Sequence, residues 1–230
     1  MKRKLNYFSI DGAVGGNQEW FRNVVMYMGG CAAATACDSC IYLAKYKGLE
    51  QLYPGNVEEM MKEDYISFSM KMKPYLRPRI QGVKKLFMFL EGFDRYLEDC
   101  KVETIETGGF SGEHTWREAA AFIREQIDQG MPVPYLMLRH WNQDYKDFIW
   151  HWFLCYGYEE GIGEDPLDGF KIQVATYGEE TEFLLKDLWE TGQEEKGGLI
   201  RLTDLRESDK MEGRAYFERS EKQESENTQK

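Results

Sequence analysis

Apolar positions change their spacing part-way along the chain. Up to about residue 130 they recur every three or four residues, as on helices, and later they gather in short runs of strand length. Leu5–Ile10 predicts a leading strand ending at Asp11-Gly12, followed by a Gly15-Gly16-Asn17 loop. Trp20, Val24, Val25 and Met28 predict a helix over Gln18–Met28 that Gly29-Gly30 breaks. From Cys31 the run Ala32-Ala33-Ala34-Thr35-Ala36 opens a helix reaching Tyr46 and stopping at Gly48. Its small side chains let other elements approach closely, so a central, buried position is expected. Val57–Met72 predicts a Met-rich amphipathic helix ended by Pro74 and Pro78. Val83–Leu97 predicts another, with Leu86, Phe89, Leu90 and Phe93 on one face. Val102–Thr107 reads as a strand. Thr115 and Glu118 fit a capping box at the start of the next helix, which Gly130 closes.

Strands then dominate: Val133–Leu138, Phe148–Tyr158, Phe170–Tyr177 and Leu199–Leu202, interrupted by a helix over Thr181–Trp189. Helices first and an antiparallel sheet after is an α+β layout. One domain over residues 1–204 is expected, with a polar tail over 205–230, disordered at its end, where little can be buried.

Charge narrows the partners. A net charge of -11 repels phosphate backbones, which argues against nucleic acid and anionic membrane. The basic N-terminus lacks the apolar run of a signal peptide, and no stretch approaches the ~18 apolar residues of a membrane span, so a cytoplasmic location is expected. Five cysteines at 31, 37, 40, 100 and 155 form an odd set without secreted-scaffold spacing and read as thiols.

Two residues carry candidate chemistry. Cys31 follows two glycines and opens a helix, where free N–H groups and the helix dipole favour a thiolate and can hold an oxyanion. The alternative is a small buried cysteine starting an alanine helix. Of three histidines, His114 lies in the glycine-rich loop Gly108-Gly-Phe-Ser-Gly-Glu-His and His140 follows a strand in a polar stretch. His151 sits inside the apolar run Phe148–Tyr158, where an imidazole is either hydrogen-bonded as part of the core or used in chemistry.

Gly30-Cys31-Ala-Ala-Ala-Thr early in the chain, and His151-Trp152-Phe-Leu-Cys-Tyr-Gly157-Tyr158 late in it, resemble the papain-like cysteine peptidase superfamily. The nearest pattern is that of bacterial double-glycine-leader (bacteriocin-processing) peptidases and their stand-alone relatives. Phe183–Trp189 and the Gly197-Gly-Leu-Ile-Arg-Leu segment resemble the family's ending, and coverage runs from Gln18 to Leu202 with unmatched helices between. The resemblance implies a papain-like α+β fold, with the Cys helix packed on the antiparallel sheet. It also implies Cys31 as nucleophile and His151 as base, acting through a thioester-type intermediate without cofactor or metal.

The chain departs from that pattern twice. The family places an Asp or Asn on the strand beside the His. If Ile149–Tyr158 and Phe170–Tyr177 form one hairpin, facing positions sum to about 327. Thr176 then lies near His151, while Asp165 and Asp168 fall at the distal turn, roughly 20 Å away. The orienter is thus expected to be Thr176, a neighbour, or a backbone carbonyl. Relatives also carry a Gln about six residues before the Cys; Val25 stands there, leaving Gln18 ahead of Asn23 as the oxyanion side chain, or a surface amide without a role.

Cys37-Asp38-Ser39-Cys40 forms a C-x-x-C that with Cys31 admits a metal or redox role, against inert helix thiols. Met60, Met61, Met70 and Met72 with Lys71, Lys73, Arg77 and Arg79 read as a core face with a charged edge, or as a binding wall in which Tyr65–Arg79 is a lid. Three functions follow: a thiol hydrolase or acyltransferase on a peptide or small amide, a non-catalytic binding protein of the same fold, or a metal or redox protein.

Overall fold

The computed structural model describes residues 1–78 and 82–207. In chain order the elements are β1 (Lys2–Lys4), β2 (Ser9–Ile10), β3 (Ala13–Val14), α1 (Val24–Gly29), α2 (Cys31–Lys47), α3 (Lys62–Met72), α4 (Leu86–Asp99) and β4 (Ile105–Ser111). Then come α5 (Trp116–Asp128), β5 (Val133–Met137), β6 (His151–Glu159), β7 (Lys171–Thr176), β8 (Glu179–Leu184), α6 (Leu185–Trp189) and β9 (Gly198–Asp204). One antiparallel sheet runs β4-β9-β5-β6-β7-β8, and β1 joins the far end of β6 beyond β5.

Helices cover both faces of this sheet. Alternate side chains of β5 and β6 point to opposite sides. Leu136, Leu138 and Trp152 pack with α2, α3 and α4, whereas Tyr135, Met137, Phe153 and Cys155 pack with α5 and α6. The first eight residues of β6 are therefore all buried. Trp152 shows how firmly the first layer is built. Its ring stacks on Phe89 at 4.5 Å and its Nε1 donates to the Val83 carbonyl at 2.6 Å. Truncation there costs on the order of 3–5 kcal/mol.

The alanine helix is central, as expected: Ala32, Ala33 and Ala36 are fully buried. Gly48 ends it in the left-handed conformation at φ 68°. The capping box of Thr115 and Glu118 forms, and Gly130 follows α5 at φ 74°.

Several expectations fail for local reasons. Leu5–Ile10 is not one strand; β1 precedes it and only Ser9–Ile10 pairs, with β3. The helix expected over Gln18–Met28 is cut in two, because Asn17 caps a short 3-10 turn at Gln18–Trp20 and Asn23 caps α1 separately. Of α1 only Met26 is buried. Helix α3 starts at Lys62 rather than Val57. Gly108 and Gly109 lie within β4, paired to Arg201 and Ile200, not in a loop. Instead of a helix from Thr181, Glu179–Leu184 forms β8, folded back onto β7, and only Leu185–Trp189 is helical. Tyr65, Phe68, Met72 and Leu76 belong to the core, so the Tyr65–Arg79 stretch is no free lid, and Arg79 lies outside the described residues. Leu205–Glu207 is helical, and the rest of the expected tail lies outside the described residues. No helix among the described residues is long and apolar enough to cross a membrane.

Candidate active site

Helix α2 delivers Cys31 to the start of β6. Gly30 joins α1 to α2 with no room for a side chain, since a Cβ there would lie 2.3 Å from the Met26 carbonyl oxygen. No side chain caps α2, so the first-turn N–H groups keep their anion-binding capacity. The Cys31 thiol is buried and points to the Trp150 carbonyl, with 3.9 Å between sulfur and oxygen. Burial pushes the thiol's pKa up, while backbone hydrogen bonds from Trp152, Ala32 and Cys31 pull it down. The low-dielectric surroundings outweigh the helix terminus, and the expected resting thiolate is replaced by a neutral thiol.

His151 opens β6 rather than sitting within it, because Gln143–Phe148 is a 3-10 helix and Ile149-Trp150 are extended and strained linkers. Its Nε2 lies 2.7 Å from Thr176 Oγ1. Its Nδ1 lies 3.4 Å from Tyr177 Oη, and the two rings stack at 4.6 Å with an interplanar angle of 6°. Burial alone holds the imidazole neutral, lowering its pKa to about 4. No hydrogen bond links thiol to imidazole in this conformation.

Cys31, His151, Thr176 and Gln18 nonetheless line one cavity of about 20 Å³. That is room for roughly one water molecule. A larger cavity of about 200 Å³ lies between Pro74–Arg77 and α4, and none of the four lines it. Thr176 reaches the ring diagonally. Leu154 faces Ala175 and Cys155 faces Val174, a register that places position 178 opposite His151. The hairpin departs from the expected pairing already at its turn end, where facing positions sum to 330, and a bulge between Cys155 and Gly157 brings the sum to 329. Asp165 and Asp168 sit at the distal turn, paired to Arg117. Gln18 donates Nε2 to the Tyr27 carbonyl at 3.1 Å, and its Oε1 is buried without a hydrogen bond. Neither His114 nor His140 lines the cavity; His140 is spent on the Asp187 carbonyl and the Asn142 N–H.

Sequence reasoning missed the opposite wall. Cys31, Ala34, Thr35 and Asp38 line the cavity from one face of α2, at the i, i+3, i+4, i+7 spacing. The Asp38 carboxylate is buried and accepts from Tyr65 Oη at 2.8 Å, Tyr7 Oη at 2.9 Å and the Gly16 N–H at 3.1 Å. Burial raises its pKa to about 6 against those three donors. A lone acidic residue on an alanine-rich helix was the available signal. Gly16 is required there, because a Cβ would fall 1.8 Å from the Tyr65 ring. Cys37 and Cys40 are buried along α2, and among the described residues no three His, Cys, Asp or Glu side chains converge as metal ligands would.

The arrangement brings a buried thiol and a neutral imidazole held by a hydroxyl to one cavity. Asp38, the carboxylate lining the cavity, has its oxygens filled by tyrosines and backbone, and makes no hydrogen bond to His151. Compared with known proteins, the chain matches no protein-family description, no curated protein and no solved structure.

Proposed function

We propose that this chain is a papain-like thiol enzyme that transfers acyl groups from peptide or small amide substrates, to water as a hydrolase or to an amine as a transferase. The observation carrying this reading is the convergence of Cys31, His151, Thr176 and Gln18, from four separate stretches of sequence, on one cavity. Cys31 attacks the substrate carbonyl as its proton passes to His151 Nδ1. Thr176 holds Nε2 and keeps the ring in place. The tetrahedral oxyanion takes hydrogen bonds from the uncapped N–H groups of α2 and from the second Nε2 hydrogen of Gln18. Collapse expels the amine with the proton from His151 and leaves a thioester on Cys31, which water or an acceptor amine then resolves. Because both the thiol and the imidazole rest neutral, proton transfer accompanies attack rather than preceding it. No cofactor takes part, and five free thiols suit a reducing, cytoplasmic setting.

A second reading, a non-catalytic binding protein of the same fold, draws on the smallness of the cavity and on the hydroxyl standing where a carboxylate is expected. The two separate by alkylation. Cys100 is the most exposed thiol, so it is the internal reference for iodoacetamide labelling followed by peptide mapping. In an enzyme, His151→Ala slows labelling of Cys31 by roughly 10²-fold and leaves Cys100 unchanged. p-Nitrophenyl acetate likewise leaves an acetyl group on Cys31 in the wild type alone. Equal Cys31 labelling in both proteins, with no acetylation, sinks the enzyme reading.

A further inference from the structure

Backbone strain is unevenly placed in this chain. Among the described residues four non-glycines have positive φ: Asp11, Lys101, Trp150 and Tyr177. Two of these adjoin the candidate pair, Trp150 just before His151 and Tyr177 just after Thr176. A bulky aromatic residue in the left-handed region persists only where its surroundings enforce it. For Trp150 the backbone gives the reason, since its N–H donates to the Leu138 carbonyl at 2.8 Å and its carbonyl receives the Cys31 thiol.

Tyr177 is different. It takes the first place of the two-residue turn between β7 and β8, with φ 52°, and Gly178 takes the second with φ 77°. Positive φ at both places marks a type I′ turn, whose preferred pair is Asn-Gly. Tyrosine is a poor choice for the turn itself, so its reason lies in the ring. That ring stacks nearly parallel on His151 and sends Oη to the Asp147 carbonyl at 3.2 Å. Tyr177 is part-exposed where His151 and Thr176 are buried, and so stands between them and solvent. Its carbonyl accepts from Asn17 Nδ2 at 2.8 Å, and Gly178 exchanges hydrogen bonds with Val14 and Gly16. One turn thereby ties the imidazole to the loop that carries Gln18.

The geometry points to Tyr177 as a positioning residue, clamping the His151 ring against Thr176 and closing the cavity until substrate displaces it. This rests on the thiol-enzyme reading of the same site. Cys31, Glu19 and Asp147 are the titratable groups whose charges act on Tyr177; Thr176, Phe148 and Phe153 are the uncharged neighbours of His151.

The test pairs Tyr177→Asn, which suits the turn and removes the ring, with Tyr177→Phe, which keeps the ring. Three quantities are measured: the melting temperature, the His151 titration midpoint by NMR, and the ratio of Cys31 labelling by N-phenylmaleimide to that by iodoacetamide. For Tyr177→Asn the melting temperature stays level or rises. The midpoint climbs from about 4 toward 6.5 by at least one pH unit. The bulky-to-small labelling ratio rises by about threefold or more. Tyr177→Phe leaves all three near wild type. An unchanged midpoint and ratio in a folded Tyr177→Asn protein overturns the clamp. Should that variant fail to fold, Tyr177→Leu, which keeps bulk without a ring face, is read by the same two quantities. Wild-type Cys31 labelling that ignores His151→Ala removes the enzyme reading instead, and leaves the titration result to decide the clamp.

Discussion

The two walls of the small cavity each bury a titratable group, and they treat it in opposite ways. On the helix wall, Asp38 receives three donors on two oxygens and is packed beneath Gly16. On the sheet wall, His151 has one close hydrogen bond, to Thr176, with its second nitrogen facing a tyrosine edge at 3.4 Å. A fully satisfied group fixes geometry; a half-satisfied one keeps a lone pair in reserve. On the proposed thiol-enzyme reading, the helix wall fixes the geometry and the sheet wall carries the chemistry.

The largest expected effect breaks the first wall. Asp38→Ala strands Tyr7 Oη, Tyr65 Oη and the Gly16 N–H, at about 1–3 kcal/mol for each unpaired buried group. Because neighbouring losses overlap, a net destabilisation of ~3–5 kcal/mol in urea unfolding is expected. A loss below about 1 kcal/mol would show that the three donors find water just as well.

Acid sharpens the contrast. His151 titrates near 4 when folded against an ordinary 6.5, so the unfolded chain takes up this proton first. Stability owed to His151 is full above pH 6.5 and is lost as pH falls toward 4. Asp38 titrates near 6 when folded against an ordinary 3.8, so the folded chain takes up that proton first. Its contribution is present below pH 3.8 and is lost as pH rises through 6. Each is on the order of 3 kcal/mol, and between pH 4 and 6 they oppose one another. Asp38→Asn should therefore steepen the loss of stability on acidification relative to wild type, and His151→Gln should lessen or reverse it. Urea midpoints across this range that shift alike in both variants would show that the burials are not what sets these titrations.

The smallest effect probes the sheet wall alone. Thr176→Val keeps the shape and removes the hydroxyl, for a cost of about 1–2 kcal/mol as Nε2 loses its partner. Cys31 labelling should slow while Cys100 labelling does not. An unaltered Cys31 rate would mean that the ring is held by stacking and not by the hydroxyl.

Much of this was legible in the sequence where one residue type dominates. The alanine run gave α2 and its burial, and the apolar run ending in Gly157-Tyr158 gave β6. Thr176 was found by hairpin arithmetic although the register was off by two positions at His151, because a diagonal neighbour still lies within reach of an imidazole. Glu179–Leu184 misled because its amphipathic pattern is short, and only the turn at Tyr177-Gly178 fixes it as a strand. Asn23 was weighed as an oxyanion donor, but its side chain caps α1, its Oδ1 accepting from the Met26 N–H, and it does not line the cavity. Asp38 was hidden by the two cysteines flanking it, and the two tyrosines that explain it lie far off in sequence. Positive φ at Trp150 and Tyr177 carries no signal in a chain of ordinary letters.

Strand β6 pairs with β5 near its start, with β1 near its end and with β7 from Leu154 onward. Its amides should be among the slowest to exchange with heavy water. The segment 14–17 beside the cavity is another matter, being joined to the Tyr177-Gly178 turn by the hydrogen bonds of Val14, Gly16 and Asn17. Parting those few links frees Gly16 and Tyr177, two of the residues that line the cavity, while every rung of the β6 ladder stays intact. How often a visitor finds the door ajar is thus set by local breathing, and two variants of equal melting temperature can differ widely in it.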